Sequence, residues 1–387
     1  MDKLFSRIFA APEIPEAPPA GVYHRMLSND AEQADRLHLR VEASGEGVLI
    51  VNAAIVLHLN RTATEHIYWW LQEKDVQEAA EILAARYRVS KQQASHDHIE
   101  LREKVLGLAH TPDLDPVIFL DMDRRAPYEK DLTAPYRLDC ALTYKIDEAG
   151  TYDPTARARV DRELSVAEWK DVLTKAWQAG IPHITFTGGE PTLFEGLEKL
   201  LEHAESQGQI TGLLTNGTRL NDANYMHRLV MTGLDHILVA VNFDQPETIR
   251  GLQAALGTDV FTAAHLTITN SDLQQVESNL EALRSFGVPA VSLSAGVDDP
   301  DIEETVIQAQ DHLAHLGMDL VWDLPAPYSR KNPIALEREA PSRGPGRAWL
   351  YVEPDGDVLP GQGITEILGN MLHDEWELIW QHTLSRS

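Results

Sequence analysis

Two short segments hold residue types that could handle a small ligand: Thr187-Gly188-Gly189-Glu190-Pro191-Thr192 and Thr215-Asn216-Gly217-Thr218. Paired glycines let a backbone approach a ligand closely, and Pro191 stiffens the way out of the turn. Glu190 can accept hydrogen bonds from an ammonium group. Taken singly, either segment also fits an ordinary strand-to-helix turn. Asn242, Asp244 and Ser294 are further polar residues at expected strand ends, and plain polar turns would use them equally well. His312 and His315 put two imidazoles on one helix face. Without a carboxylate pattern of the HExxH kind, a solvated face is the simpler reading, and His96 and His98 are read the same way. Asp147, Glu148 and Asp153 could collect a hard cation, or simply face water. Of Trp69 and Trp70, at least one is expected in a core.

Composition limits this chemistry. The 387 residues include one cysteine, Cys140. One thiol makes no internal disulfide, no cysteine-rich zinc site and no cysteine-held iron–sulfur cluster. Lys and Arg number 33 against 60 Asp and Glu, a net charge of −27. Such a surface repels phosphate backbones and anionic lipid, so nucleic acid and membrane surfaces are poor partners. No apolar run reaches transmembrane length, and Met1–Ala10 lacks a secretory apolar region. A cytoplasmic chain is expected.

The elements that must position these residues fall into two rhythms. Residues 1–20, with the Pro- and Ala-rich stretch Pro12–Gly21, read as an extended leader. Residues 21–109 begin with a strand-like pattern from Val22 to about Leu59, including Leu37–Val41, Val48–Val51 and Ile55–Leu59 with a turn at Gly45-Glu46-Gly47. Helices are predicted over Thr62–Leu71, Val76–Tyr87 and Lys91–Leu108, the third capped by Ser90. This makes a small winged-helix-like α+β domain. Residues 110–135 are proline-punctuated and read as a linker. From 136 to 325 strand and helix alternate. Strands are predicted over Arg137–Tyr144, His183–Phe186, Gly212–Leu214, His236–Val241, Leu266–Thr269, Ala290–Ser294 and Leu320–Trp322. The intervening helices are Ser165–Ala179, Leu197–Ser206, Asp222–Met231, Leu273–Phe286 and Glu303–Leu316. Alternation of this kind predicts an α/β fold with a parallel sheet and crossover helices, and barrels of that type carry chemistry at the C-terminal ends of their strands. Residues 326–387 form a different terminal piece, with a hairpin turn at Asp355-Gly356-Asp357 and a closing helix over Trp376–His382.

With Leu142-Thr143-Tyr144 ending the first strand, GGEPTL at Gly188 and TNGT at Thr215 make the stretch from about Arg137 to Ala295 resemble the radical S-adenosylmethionine (radical SAM) superfamily. The resemblance implies a partial (βα)6 TIM-like barrel. It also implies a cofactor whose methionine amino group is held at Gly188, Gly189, Glu190 and Pro191, with Thr215, Asn216, Asn242 and Ser294 on the same rim. It further implies a four-iron four-sulfur cluster on three cysteines spaced C-x3-C-x2-C after Thr143-Tyr144-Lys145. In that register this chain has Ile146, Gly150 and Asp153, none a thiolate. The stretch Gly346–Gln362, with Leu368-Gly369-Asn370 and Trp376–His382, resembles the SPASM/twitch extension, and Gly361 stands where those proteins have a cysteine.

The N-terminal domain resembles the PqqD-like recognition elements of ribosomally made, modified peptides. The carrying residues are Gly47–Asn52 (GVLIVN), Val56–Asn60 (VLHLN), Thr62, Ala63, Ile67 and the helical run through Tyr87. That resemblance implies a leader peptide bound as an added strand. A DNA-binding winged helix and a bare dimerisation module are the alternatives, and the acidic balance argues against DNA. The expectation is a radical-SAM-like pseudoenzyme or accessory protein that binds a precursor peptide during peptide maturation. The alternatives are an enzyme using S-adenosylmethionine by polar chemistry without its own cluster, and a structural subunit partnered with a catalytic homologue.

Overall fold

The computed structural model describes residues 15–28, 34–52, 55–110, 132–149, 154–297, 299–320 and 346–385. Its contacts divide the chain into two compact units, Met1–Glu129 and Lys130–Ser387. Among the described residues no helix is long and apolar enough to cross a membrane.

In the first unit β1 (Gly21–Ser28), β2 (Ala34–Val41), β3 (Gly47–Val51) and β4 (Ile55–Leu59) form an antiparallel sheet in sequence order. Three helices follow: α1 (Arg61–Leu71), α2 (Val76–Arg86) and α3 (Lys91–His110). Each start carries its own signal. Asn60 Oδ1 accepts from Ala63 N at 2.9 Å, Asp75 forms a capping box with Glu78, and Ser90 Oγ accepts from Gln93 N as the sequence predicts. Leu37, Leu39, Leu49, Leu57, Ile67 and Trp70 fill the core, while Trp69 packs half-buried beside a smaller cluster. His98 departs from expectation. It is buried, with its Nδ1 3.2 Å from Nδ1 of His66 across α1 and α3, so only His96 lies on the solvated face of that helix.

The second unit is built on a ten-stranded sheet. Its parallel strands are β5 (Arg137–Thr143), β6 (His183–Gly188), β7 (Ile210–Thr215), β8 (His236–Val241), β9 (Phe261–Ile268), β10 (Ala290–Ala295) and the short β11 (Asp319–Leu320), neighbours in that order. The helices between them are α4 (Pro154–Arg159), α5 (Val166–Gln178), α6 (Leu197–Gln207), α7 (Ala223–Met231), α8 (Pro246–Leu256), α9 (Leu273–Ser285) and α10 (Pro300–Leu316). Period-2 alternation gives each strand two faces. Leu138, Cys140 and Leu142 of β5 join the main core with Trp169, Val172 and Leu173 of α5, whereas Ala141 sits with Tyr144, Tyr351 and Leu359. The result is an α/β partial barrel.

The short helix α4 is not among the predicted helices, and two further features depart from the prediction. The helix α8 is absent from the prediction, and β9 begins five residues earlier than expected. The terminal piece also joins the sheet. Strand β12 (Trp349–Val352) pairs in parallel with β5, Trp349 opposite Arg137, and β13 (Asp357–Leu359) and β14 (Gly369–Asn370) follow antiparallel before α11 (Trp376–Leu384).

Candidate functional site at the strand ends

Strand β6 ends at Gly188, and the next two backbone amides are spent on the loop that follows β5. Gly189 N donates to Thr143 O at 2.7 Å and Glu190 N to Lys145 O at 2.8 Å. A β-carbon at Gly188 would lie 2.3 Å from Thr143 O, and one at Gly189 would lie 2.3 Å from Lys145 O. The close backbone approach that the glycines permit is therefore made by this chain's own loop. Gly188 also has φ of +133°, which an L side chain rarely adopts.

Glu190 is completely buried. Its Oε1 accepts from Thr192 N at 3.0 Å, Thr192 Oγ1 at 2.5 Å and Thr215 Oγ1 at 2.7 Å, and its Oε2 accepts from Asn216 N at 2.9 Å. Burial pushes the carboxyl upward, opposed by these four donors. A carboxylate offers about four acceptor positions, so little capacity remains for a ligand's ammonium. Asn216 extends the system: its Nδ2 donates to Asp147 Oδ1 at 2.7 Å and its Oδ1 accepts from Thr218 N at 2.9 Å. Pro191 is buried and opens a short 3-10 turn, Pro191–Leu193. Thus Glu190, Thr215 and Asn216 meet in a closed network that ties the ends of β6 and β7 together.

Asn242 and Ser294 stand apart from that network. Asn242 is exposed, and its Oδ1 accepts from Asp244 N at 2.9 Å in a local turn. Ser294 is buried with its Oγ 3.1 Å from Nε2 of His265, whose Nε2 also lies 3.1 Å from Thr267 Oγ1 and whose Nδ1 lies 3.1 Å from Ser292 Oγ. The sequence reading missed His265, as well as His183 and His236. Burial lowers His265 to about 3 and His236 to about 4, and takes His183 well down. Gly212 makes room for His236, since a β-carbon there would lie 2.2 Å from its Nε2.

These three rings stay neutral when folded but titrate near pH 6.5 when unfolded. Their stabilisation is therefore complete above pH 6.5 and is lost as pH falls from 6.5 towards 4. Each ring contributes a slope of about 1.4 kcal/mol per pH unit, so three give roughly 4 kcal/mol per pH unit near pH 5. Denaturant unfolding between pH 7 and 4.5 checks this, and His265→Asn is expected to flatten the slope by about one proton.

The end of β5 holds a second group the sequence reading missed. Glu353 is 1% exposed and accepts from Tyr144 OH at 2.8 Å and from Arg159 Nη2 at 2.6 Å. Glu163 accepts from Thr143 Oγ1 and from Lys145 Nζ. No local signal marks these carboxylates, because Glu353 reaches Tyr144 only through the pairing of β12 with β5.

Sequence comparison bears on the same residues. The radical SAM superfamily model matches residues 140–308. Residues 140–308 are a radical SAM domain. The chain is also similar to the PqqA peptide cyclase of Rhizobium meliloti, 28% identical over 239 residues, which is 54% of this chain and 62% of that protein. It therefore spans less than two thirds of that relative. Among solved structures, SuiB of Streptococcus suis bound to S-adenosylmethionine superposes with a TM-score of 0.63 at 14% identity, over 92% of this chain and 88% of that one. SuiB bound to its precursor peptide SuiA gives 0.59 at 14% identity, over 88% and 86%. At that identity the likeness speaks for the fold.

A radical SAM domain implies an iron–sulfur cluster and S-adenosylmethionine, and the residues here do not fit the cluster. Soft iron needs thiolates. Cys140 is the chain's one thiol. It is fully buried among Leu138, Leu142 and Trp169, and burial raises it well above the usual thiol range. Ile146 has no donor atom, and Gly150 and Asp153 lie outside the described residues. Gly361 is buried just after β13. The Asp147 carboxylate is taken up by Ala149 N and Asn216, and among the described residues no three metal-ligating side chains converge. His312 faces Glu277 and Glu281, whereas His315 bonds Asp311 O within its own helix.

Proposed function

We propose that this protein is a radical SAM-fold pseudoenzyme or accessory protein that binds a precursor peptide in the maturation of ribosomally made peptides and performs no radical chemistry itself. The observation that carries the proposal is the fate of the two cofactor-facing features. The chain's single thiol is locked in the core, and Glu190 is committed to four donors from its own loop and the end of β7. The fold has been kept while the means of holding the cluster are gone.

Peptide binding draws on the first unit, residues 21–109 in this reading, as a PqqD-like recognition element. Its sheet ends in β1, an eight-residue strand with no further strand on its outer side among the described residues. An edge of that kind accepts an extended peptide through main-chain hydrogen bonds. The relatives support the peptide connection by their own functions: one is a peptide cyclase and another was solved with its precursor peptide. Residues 326–387 are read as a degenerate extension, of which Trp349–Val352, Asp357–Leu359 and Gly369–Asn370 lie in the sheet, 1–20 as a leader and 110–135 as a linker. A catalytic radical SAM homologue is the natural second partner, since some other chain must supply the chemistry.

Anaerobic reconstitution with iron and sulfide tests the first half. The expected result is well under one iron per chain and no cluster absorbance. Stoichiometry of about four irons, with the visible band of a thiolate-held cubane, would overturn it. Fluorescence anisotropy with labelled precursor peptides encoded beside the gene tests the second half. Micromolar binding that is lost when β1 carries Tyr23→Pro is expected, and binding to none of them would reject the peptide role.

A further inference from the structure

A cavity of about 380 Å3 lies on the outer side of the Glu190 loop, between the start of α6 and helix α7. Arg219, Arg228 and Lys199 line it, as do Glu198 and the ring of Tyr225. In a chain of net charge −27, three cations around one cavity are a local reversal of sign. Arg228 is paired with Glu198 at 3.1 Å, but among the described residues Arg219 has no carboxylate partner; it donates to Thr192 O and lies over Tyr225, 4.5 Å from the ring centre. Helix α6 starts at Gly196 without a side-chain cap, and Glu198 and Lys199 of its first turn line the same cavity.

The second, independent observation is Tyr225 itself. The residue is 4% exposed, and among the described residues no protein group partners its hydroxyl, which keeps contact with solvent. A buried tyrosine normally finds one. Here the partner's place is the cavity.

We propose that this cavity is a binding site for a monocarboxylate: the carboxylate takes the Arg219 guanidinium, the Tyr225 hydroxyl and the first-turn amides of α6. Planar bidentate recognition suits arginine and carboxylate. Glu195 and Glu198, which line it too, leave an excess of one positive charge, which matches a monoanion better than a doubly charged phosphate. Phe194 and Leu197 supply an apolar wall, so the ligand carries an apolar body beside its carboxylate. The proposal stands on the cavity alone and does not need the peptide-maturation reading.

Calorimetry on the full chain, together with amide shifts of Glu198 and Lys199, tests it with N-acetylphenylalanine as the carboxylate, its carboxamide, and inorganic phosphate. The acid is expected to bind and to shift both amides, with the carboxamide at least tenfold weaker. Arg219→Gln should weaken the acid at least tenfold. Tyr225→Phe should weaken it severalfold with no drop in thermal midpoint, because the hydroxyl it removes holds no partner in the folded chain. No saturation by about 10 mM acid, equal affinity for acid and carboxamide, or tighter binding of phosphate would each overturn the assignment.

Discussion

Glu190→Ala is expected to destabilise the C-terminal unit by about 3 kcal/mol or more, because it strands buried donors on Thr192, Thr215 and Asn216 whose acceptor has gone. For a unit of this size that lowers the thermal midpoint by roughly 6–12 °C. Glu190→Gln should fall between, since it keeps one acceptor oxygen but turns an amide group towards a donor. The network makes a further demand. Thr215→Val removes one donor and leaves the carboxylate with three, so the double variant Glu190→Ala, Thr215→Val should be less destabilised than the sum of the two singles. The competing picture keeps Glu190 in reserve for the amino group of S-adenosylmethionine. It predicts the reverse pattern: an unchanged midpoint, and micromolar cofactor affinity that vanishes in Glu190→Ala. Thermal unfolding and cofactor calorimetry on the same two proteins separate the pictures, because one expects its effect where the other expects none.

The parallel sheet was readable in the sequence because each strand carries its apolar run locally, and the helices from Val166 to Leu316 mostly carry their own caps and faces. What failed to show was whatever the partner strand decides. Helix α8 reads poorly because Gly251 sits in its middle, where glycine costs about 1 kcal/mol against alanine. The structure gives the compensating reason: a β-carbon at Gly251 would lie 2.0 Å from Gly217 O, so the helix can dock on the TNGT turn only with glycine there. The start of β9, Phe261-Thr262-Ala263-Ala264, offers two strand formers followed by two alanines and no apolar run, and pairing with β8 and β10 makes it a strand. The charge cluster is the same lesson in polar form. Arg159 and Glu353 look like surface residues until β12 is laid beside β5 and brings buried Glu353 to Arg159, nearly 200 residues away. Likewise His98 looks solvated until α1 brings His66 to it. The motif residues Glu190, Thr215 and Asn216 were legible as a group, but their type and spacing cannot say whether the group faces a ligand or itself.

That ambiguity is sharpest at the glycine pair, where a single substitution decides it. Gly189→Ala would place a β-carbon 2.3 Å from Lys145 O and 2.9 Å from the Tyr144 carbonyl carbon, closer than real β-carbons come. The loop after β5 must move, and the bonds Gly189 N to Thr143 O and Glu190 N to Lys145 O go with it. The expected loss is on the order of 4 kcal/mol, overpacking plus two buried backbone bonds. Gly188→Ala should be at least as severe, because a 2.3 Å clash with Thr143 O adds to its positive φ. Gly287→Ala is the control. Its φ is +84° but nothing lies within 4 Å of the added carbon, so only conformational strain of about 1–2 kcal/mol is expected. Denaturant midpoints of the three variants give the ordering. If Gly189→Ala proves no worse than Gly287→Ala, the space before Gly189 is open and a ligand can use it. A loss several times larger means that the chain's own loop occupies that space, and that the glycines of this motif now serve the fold.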